Sequence, residues 1–268
     1  AIGGILNVNM NIHAVIVEKL SKKRMMSGMH ALWSVGCFAG AGLFSILAKL
    51  GLGISQIAII HCIIIFMIIF AFSRYFLPYK GASNGKAIAI PKGIVTLFGV
   101  LAVISFLGEG GMMDWSGVFL TEAKGVELSL AGVGYAVFSA AMLIGRLIGD
   151  KVVQKLGEQR VVIFGGIVAS VGYIISIVFD NFFMMQFGFI LLGFGAANIV
   201  PVVFTLLGRQ KEMPINSAVT AVTSMGYLGV MFGPALLGFI AHGIGIVAVF
   251  CILAGMFILQ AIVSSYVF

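Results

Sequence analysis

The feature that most constrains this chain is the alternation of long apolar stretches with short polar ones from end to end. Apolar runs fall at about 1–17, 28–49, 53–73, 93–120, 129–150, 160–179, 182–208, 216–240 and 243–267. A helix needs roughly 20 mostly apolar residues to cross the hydrocarbon of a bilayer. With no water there to pair with backbone groups, only helices and closed barrels span it. These runs are too long for barrel strands and lack their alternation, so they predict an all-α integral membrane protein with nine spans. Composition leaves no alternative: 9% of residues are charged, against roughly 25% in a soluble domain.

The basic residues give the orientation. Of the sixteen Lys and Arg, fourteen fall around alternate connections: Lys19–Arg24, Arg74–Lys92, Arg146–Arg160 and Arg209–Lys211. Only Lys49 and Lys124 fall on the other side. The positive-inside rule places the fourteen in the cytoplasm. The net charge of +7 is therefore a matter of topology, with no nucleic-acid partner implied. Cys37, Cys62 and Cys251 all lie within spans, share no metal-ligand spacing, and are expected to pack as small apolar residues. The first span is short and carries Asn7, Asn9 and Asn11, and the chain opens without Met inside an apolar run. The expectation is that a natural N-terminus precedes it.

One long polar connection, "RYFLPYKGASNGKAIAIPKG", divides three spans from six. Its Pro, Gly, Ser, Asn and Lys mark a solvated linker. The expected organisation is a partial N-terminal half at 1–73, a cytoplasmic linker at 74–92 and a six-helix half at 93–268. A repeat at an offset of 190 pairs Ser27 with Ser217, Ala31 with Ala221, Ser34 with Ser224 and Gly36 with Gly226. Both stretches open a span that follows a basic loop. Two parallel halves with substrate between them would account for this.

In "FSAAMLIGRLIGDKVVQKLGEQRVVIFGG", Gly145 and Gly149 share one helix face and admit a close helix neighbour. Asp150 and Lys151 lie where water begins. Two arrangements are open to Asp150: accepting from backbone N–H groups at a neighbouring helix start, or pairing with Arg146 one turn back.

The stretch "GRLIGDKVVQKLGEQR" resembles the cytoplasmic loop signature of the major facilitator superfamily, in the form found between helices eight and nine. The gap of seven from Asp150 to Gly157 is longer than the usual form. "GEGGMMDWSGVFL", "GFGAANIVPVVFTLLGR" and "TSMGYLGVMFGPALLGFIAHG" resemble a bacterial subgroup whose members include proteins proposed to handle sugar- or inositol-like compounds. The resemblance implies a major facilitator-type bundle with nine of twelve helices present, numbers four to twelve. It also implies a conformational gate built from Gly145, Arg146, Gly149, Asp150 and Lys151.

Two acids stand in the otherwise apolar, small run "ISFLGEGGMMDWSGVFL". An ionised acid costs about 2.5 to 3.5 kcal/mol or more at a helix centre in lipid, so Glu109 and Asp114 are expected to face the bundle interior or a wet cavity. Counting from the linker places Glu109 in the outer part of the membrane and Asp114 near the surface beside Trp115. On a regular helix the two acids are about 140° apart. The flanking glycines Gly108, Gly110 and Gly111 would let a bend bring both to one cavity. Glu109 has three readings: a proton-coupling carboxylate, a ligand for substrate hydroxyls, or the partner of a buried polar group. Asn198, three residues before Pro201 and its expected kink, joins the cavity candidates with Asn7, Asn11, His30 and Tyr227.

No HExxH or phosphate-binding loop is present, and the one GxSxG match, "GASNG" at 81–85, lies in the polar linker and not after a strand, so the expectation is no enzyme and no cofactor or metal. The reading is a multi-pass protein of a bacterial inner membrane that moves a small polar solute by alternating access, with protons as the favoured coupling ion. A multidrug-type exporter and a non-transporting receptor or scaffold are the alternatives.

Overall fold

The computed structural model describes residues 2–75 and 89–267. Most of the expected linker, residues 76–88, lies outside the described residues. All regular structure among the described residues is helical: α1 (Ile2–Ser21), α2 (Met26–Lys49), α3 (Ile54–Phe72), α4 (Ile94–Val118), α5 (Val133–Leu156), α6 (Glu158–Val178), α7 (Phe182–Ala196), α8 (Ile199–Leu207), α9 (Ile215–Ile244) and α10 (Ile246–Val267). Helices α7 and α8 together form one run, Phe182–Leu207, and a π-helical turn carries α4 on to Ala123. Among the described residues, eight helical runs are long and apolar enough to cross a membrane. The ninth helix, α1, has 20 residues and includes Asn7, Asn9 and Asn11, which lower its apolarity. The protein is an all-helical, multi-pass membrane protein.

The chain falls into two compact units, Ala1–His30 with Gly85–Phe268, and Ala31–Asn84. Within the smaller one, His61 bridges helices by contacting the carbonyls of Ile57 (2.9 Å) and Gly40 (3.2 Å). In the larger unit, glycines set how closely helices approach. A Cβ on Gly172 would stand 2.5 Å from the carbonyl oxygen of Gly188, and one on Gly195 2.6 Å from that of Gly165. Helices α6 and α7 thus pack backbone to backbone, which small residues permit in a bilayer. Around them Phe119 stacks on Phe250 at 4.0 Å, and Tyr173 meets Phe250 edge-on at 5.4 Å.

One local expectation is corrected. Helix α4 runs unbroken through Gly108–Gly111. Gly108 and Gly111 instead make room for α10, since a Cβ there would collide with the Phe257 ring and stand 2.6 Å from Leu253. The span is interrupted at Ala197–Asn198, one turn before Pro201, because proline has no N–H for the carbonyl of residue i−4, Ala197. Pro201 then sits in the first turn of α8, where its missing N–H leaves no bond unmade. Helix α9 continues through Pro234, and Gly233 and Gly238 beside it admit close neighbours, Leu107 at 2.8 Å and Trp115 at 3.2 Å from a Cβ placed there.

Candidate functional site

Helices α4 and α5 bring Glu109 and Arg146 together. One guanidinium nitrogen, Nη2, donates to both carboxylate oxygens at 3.2 Å, and Nε donates to the carbonyl of Ala197 at 3.3 Å. The Arg146 side chain is 7% exposed and that of Glu109 22%. Arg146, expected near the α5–α6 connection, lies ten residues before the end of α5. Its partner is Glu109, not Asp150. Because the π-helical turn extends the α4 run to thirty residues, Ile94–Ala123, Glu109 falls at its middle. A paired charge at that depth is the arrangement a bilayer tolerates.

Asn198 stands at the break between α7 and α8, on the face of α5 where two glycines leave room. Its amide Nδ2 donates to the carbonyl of Gly145 at 3.0 Å. A Cβ on Gly149 would overlap Asn198 Oδ1 and lie 2.7 Å from Ser27 Cβ. Gly145 is similarly filled by Ala197, at 2.7 Å. Arg146, Asn198, Gly145 and Gly149 therefore form one packed junction, with the Glu109 carboxylate on its partly open side.

One turn along α5, Asp150 meets the start of α2. Its two oxygens accept from the backbone N–H groups of Ser27 (3.1 Å) and Gly28 (2.9 Å). Glu18 does the same for the preceding pair: Oε2 accepts from Met25 and Met26, each at 2.8 Å, while Oε1 accepts from the Thr205 hydroxyl at 2.6 Å. The first four N–H groups of a helix have no intrahelical partner, and the first such bond here is Met29 N–H to the Met25 carbonyl. Two carboxylates from two other helices thus satisfy all four. Such charge-assisted bonds are short and strong, and anions at a helix start are favoured by its dipole.

The sequence alone does not single out Glu18, Thr205 and Ser27. It does hold a signal: "KKRMMSG" puts Met25 at the N-cap position, a thioether that is only a weak acceptor and here takes the Ser21 hydroxyl at 3.4 Å, where Ser, Thr, Asp or Asn is preferred. A helix start of that kind needs its acceptor from elsewhere. The same deficit recurs at α4, whose N-cap is Gly93. There Ile94 N–H is met by Glu212 at 3.0 Å.

The other candidates lie apart from this junction. Asp114 is exposed, five residues beyond Glu109 on the unbroken α4 and about 140° round the helix from it. Trp115 packs its ring against Gly238, with Nε1 buried. Asn11 donates to Asn7, at 2.6 Å to its side chain and 3.0 Å to its carbonyl. Tyr227 lies edge-on to Phe106 at 6.3 Å, and Phe106 is one turn before Glu109 on α4. His30 faces Phe204, ring centroids 5.7 Å apart, one turn into α2 from Ser27. Lys151 is exposed. Outside the membrane-spanning core, Arg24 (2.5 Å) and Arg209 (2.8 Å) converge on one oxygen of Glu158. Among the described residues no cluster of His, Cys, Asp or Glu has the makings of a metal site.

Comparison with known proteins agrees with this architecture. A sequence model described as Major Facilitator Superfamily matches residues 98–268. An uncharacterized MFS-type transporter of Yersinia pestis is 45% identical over 242 residues, covering 89% of this chain and 62% of its own length. An uncharacterized transporter of Sinorhizobium fredii is 30% identical, covering 89% of this chain and 64% of its own, and the membrane protein MosC of Rhizobium meliloti is 26% identical, covering 92% and 60%. The chain thus spans about three-fifths of the length of these relatives. Among solved structures, the human organic anion transporter TETRAN matches with a TM-score of 0.72 at 16% identity, over 95% of this chain and 66% of its own. The fucose:proton symporter FucP of E. coli matches with a TM-score of 0.66 at 14% identity, over 90% and 68%. On these matches, the chain belongs to the Major Facilitator Superfamily.

Proposed function

We propose that this chain is the larger part of a secondary transporter that moves a small polar solute by alternating access, with protons as its coupling ion. The observation that carries the proposal is the Glu109–Arg146 pair, held at mid-span between α4 and α5 with one side of the carboxylate open. Such a carboxylate can exchange its arginine for a proton or for a solute hydroxyl, and either exchange changes the charge balance of the junction.

The junction leads toward the basic face along a single helix. Arg146 and Asp150 are four residues apart on α5, so motion of the first is passed to the cap on α2. In this reading Gly145, Arg146, Gly149, Asp150 and Lys151 act as the gate, and the capped α2 start is its closed position. The basic loops lie in the cytoplasm of a bacterial inner membrane, by the positive-inside rule. The division into a partial first half at 1–73, a linker at 74–92 and a six-helix half at 93–268 belongs to the same proposal. A polar cargo is favoured by the amides and acids of the candidate set, and one fold neighbour, FucP, is a fucose:proton symporter. The aromatic pair Phe106–Tyr227, one turn from Glu109, favours a second reading in which the cargo is an amphipathic compound and the direction is export.

The test uses a protein with Cys37, Cys62 and Cys251 replaced by Ser and Glu109→Cys introduced. Membrane-impermeant thiol reagents label position 109 in membrane vesicles if it faces an aqueous path. Protection from both sides, with and without candidate solutes, would leave a receptor or scaffold instead of a transporter. In reconstituted vesicles, uptake by the Glu109→Gln variant should lose its dependence on a pH gradient. Retention of that dependence removes the proton-coupling role.

A further inference from the structure

At the basic edge of the larger unit, away from the Glu109–Arg146 pair, the end of α1 and the turn between α8 and α9 enclose a recess of about 610 Å³. We propose that it binds a phosphate-bearing anion. This inference does not rest on the transport reading.

Six cationic side chains line the recess: Lys19, Lys22, Lys23, Arg24, Arg209 and Lys211. Against them stands one lining carboxylate, Glu18, so the lining keeps a positive surplus. Both Glu18 oxygens are taken, by the Met25 and Met26 N–H groups and by the Thr205 hydroxyl. Glu158 ties Arg24 and Arg209 to one carboxylate oxygen, which leaves each guanidinium with further N–H donors. Among the described residues, Lys19, Lys22, Lys23 and Lys211 have no ion-pair partner.

The charge rule for membrane loops explains why basic residues lie at this edge. It does not explain why they converge on one concavity. The helix dipole draws cations to the last turn of a helix, which covers Lys19 but not Lys22, Lys23 or Lys211. Lys22 carries a further sign. Its backbone has φ 55°, in the left-handed region at the end of α1, where glycine is the usual occupant. An L-residue there costs about 1–2 kcal/mol, so the position holds a cation against its own backbone preference. The opposite wall is held by Gln210, whose side chain bonds the Met213 carbonyl (2.6 Å) and the N–H groups of Glu212 and Met213 (both 2.8 Å).

A pre-formed recess of this volume is in the range of small-molecule sites, about 300–1,000 Å³. Lysines are point-charge donors suited to phosphate. The phosphate could come from an anionic phospholipid headgroup or from a soluble phosphorylated compound; the recognising chemistry is shared.

The experiment is thermal unfolding of the detergent-purified protein with three additions: inorganic pyrophosphate, short-chain phosphatidylglycerol against phosphatidylcholine, and sodium chloride at matched ionic strength. The expected result is a rise in unfolding midpoint with pyrophosphate, with phosphatidylglycerol, or with both, and none with the choline lipid or the salt. Pyrophosphate alone identifies a soluble ligand, phosphatidylglycerol alone a headgroup. Each basic residue near a membrane surface contributes about fivefold to the affinity for an anion, so Lys23→Gln/Lys211→Gln should weaken that affinity about 25-fold, read as the anion concentration needed for a given rise. Lys22→Gly, which suits the backbone, should weaken it about fivefold without loss of fold. Absence of any rise, a rise that sodium chloride reproduces, or one that persists unchanged in both variants overturns the proposal.

Discussion

Replacing Asp150 with Asn should loosen the start of α2 by a predictable amount. The carboxylate accepts two bonds, at 3.1 Å from Ser27 N–H and 2.9 Å from Gly28 N–H. Hydrogen bonds to a charged partner contribute about 1.5–3 kcal/mol and neutral ones about 0.5–1.5. In Asp150→Asn one bond becomes neutral, a loss of about 1 kcal/mol, and the amide nitrogen turns a donor toward the other N–H, removing that bond. Loss of the anion at the dipole adds about 0.5 kcal/mol. Since Asp150 is half-buried, water recovers part of this, and the net cost is about 2 kcal/mol, or about thirtyfold in an opening equilibrium. Hydrogen exchange read at single amides measures it. Ser27 and Gly28 should exchange about thirtyfold faster, while Met25 and Met26, capped by Glu18, keep their protection. Unchanged protection at Ser27 and Gly28 would refute the reasoning, as would equal acceleration of all four amides, because the loss would then not be local.

Further substitutions check other parts of the structure. Gly149→Ala, whose Cβ would overlap Asn198 Oδ1, should lower stability by about 1–3 kcal/mol. Gly255→Ala in α10, with nothing within 4 Å, should raise it by about 0.5–1 kcal/mol; thermal melting separates the two. Tyr173→Phe removes the 3.0 Å bond to the Gly108 carbonyl and should cost about 1 kcal/mol in the same assay. Arg146→Gln, which strands the Glu109 carboxylate, should destabilise by about 3 kcal/mol, Glu109→Gln by less because Arg146 keeps the Ala197 carbonyl, and the double variant by less than their sum. Strict additivity in that cycle would mean the pair is not coupled.

Much of the fold is legible in the sequence because a bilayer leaves few choices. Run lengths and the basic loops suffice to place the helices, since each boundary is set by where charge can meet water. Pairings between helices are not legible. Glu109 and Arg146 are 37 apart in sequence, and nothing local to either names the other. Asp150 has two possible partners in the sequence, and only the approach of Ser27 and Gly28 to its carboxylate decides between them. The glycines around Glu109 have one composition and two uses, bending or close approach. Which applies depends on Phe257 and Leu253 from α10. Glu18 escapes notice because an acid beside lysines looks like an ordinary surface charge, whereas it is buried at the start of a helix that lacks its own cap.

The interruption at Ala197–Asn198 changes what happens to Arg146 when its carboxylate is lost. Nε is already seated on the Ala197 carbonyl, at the C-terminus of α7, where a helix presents roughly half a negative charge. A proton arriving on Glu109 therefore does not strand a bare cation in hydrocarbon: the guanidinium keeps a counter-pole made of peptide groups, fixed in place and indifferent to pH. The carboxylate becomes the exchangeable half of the pair and the arginine its standing half, so neutralising one does not require expelling the other.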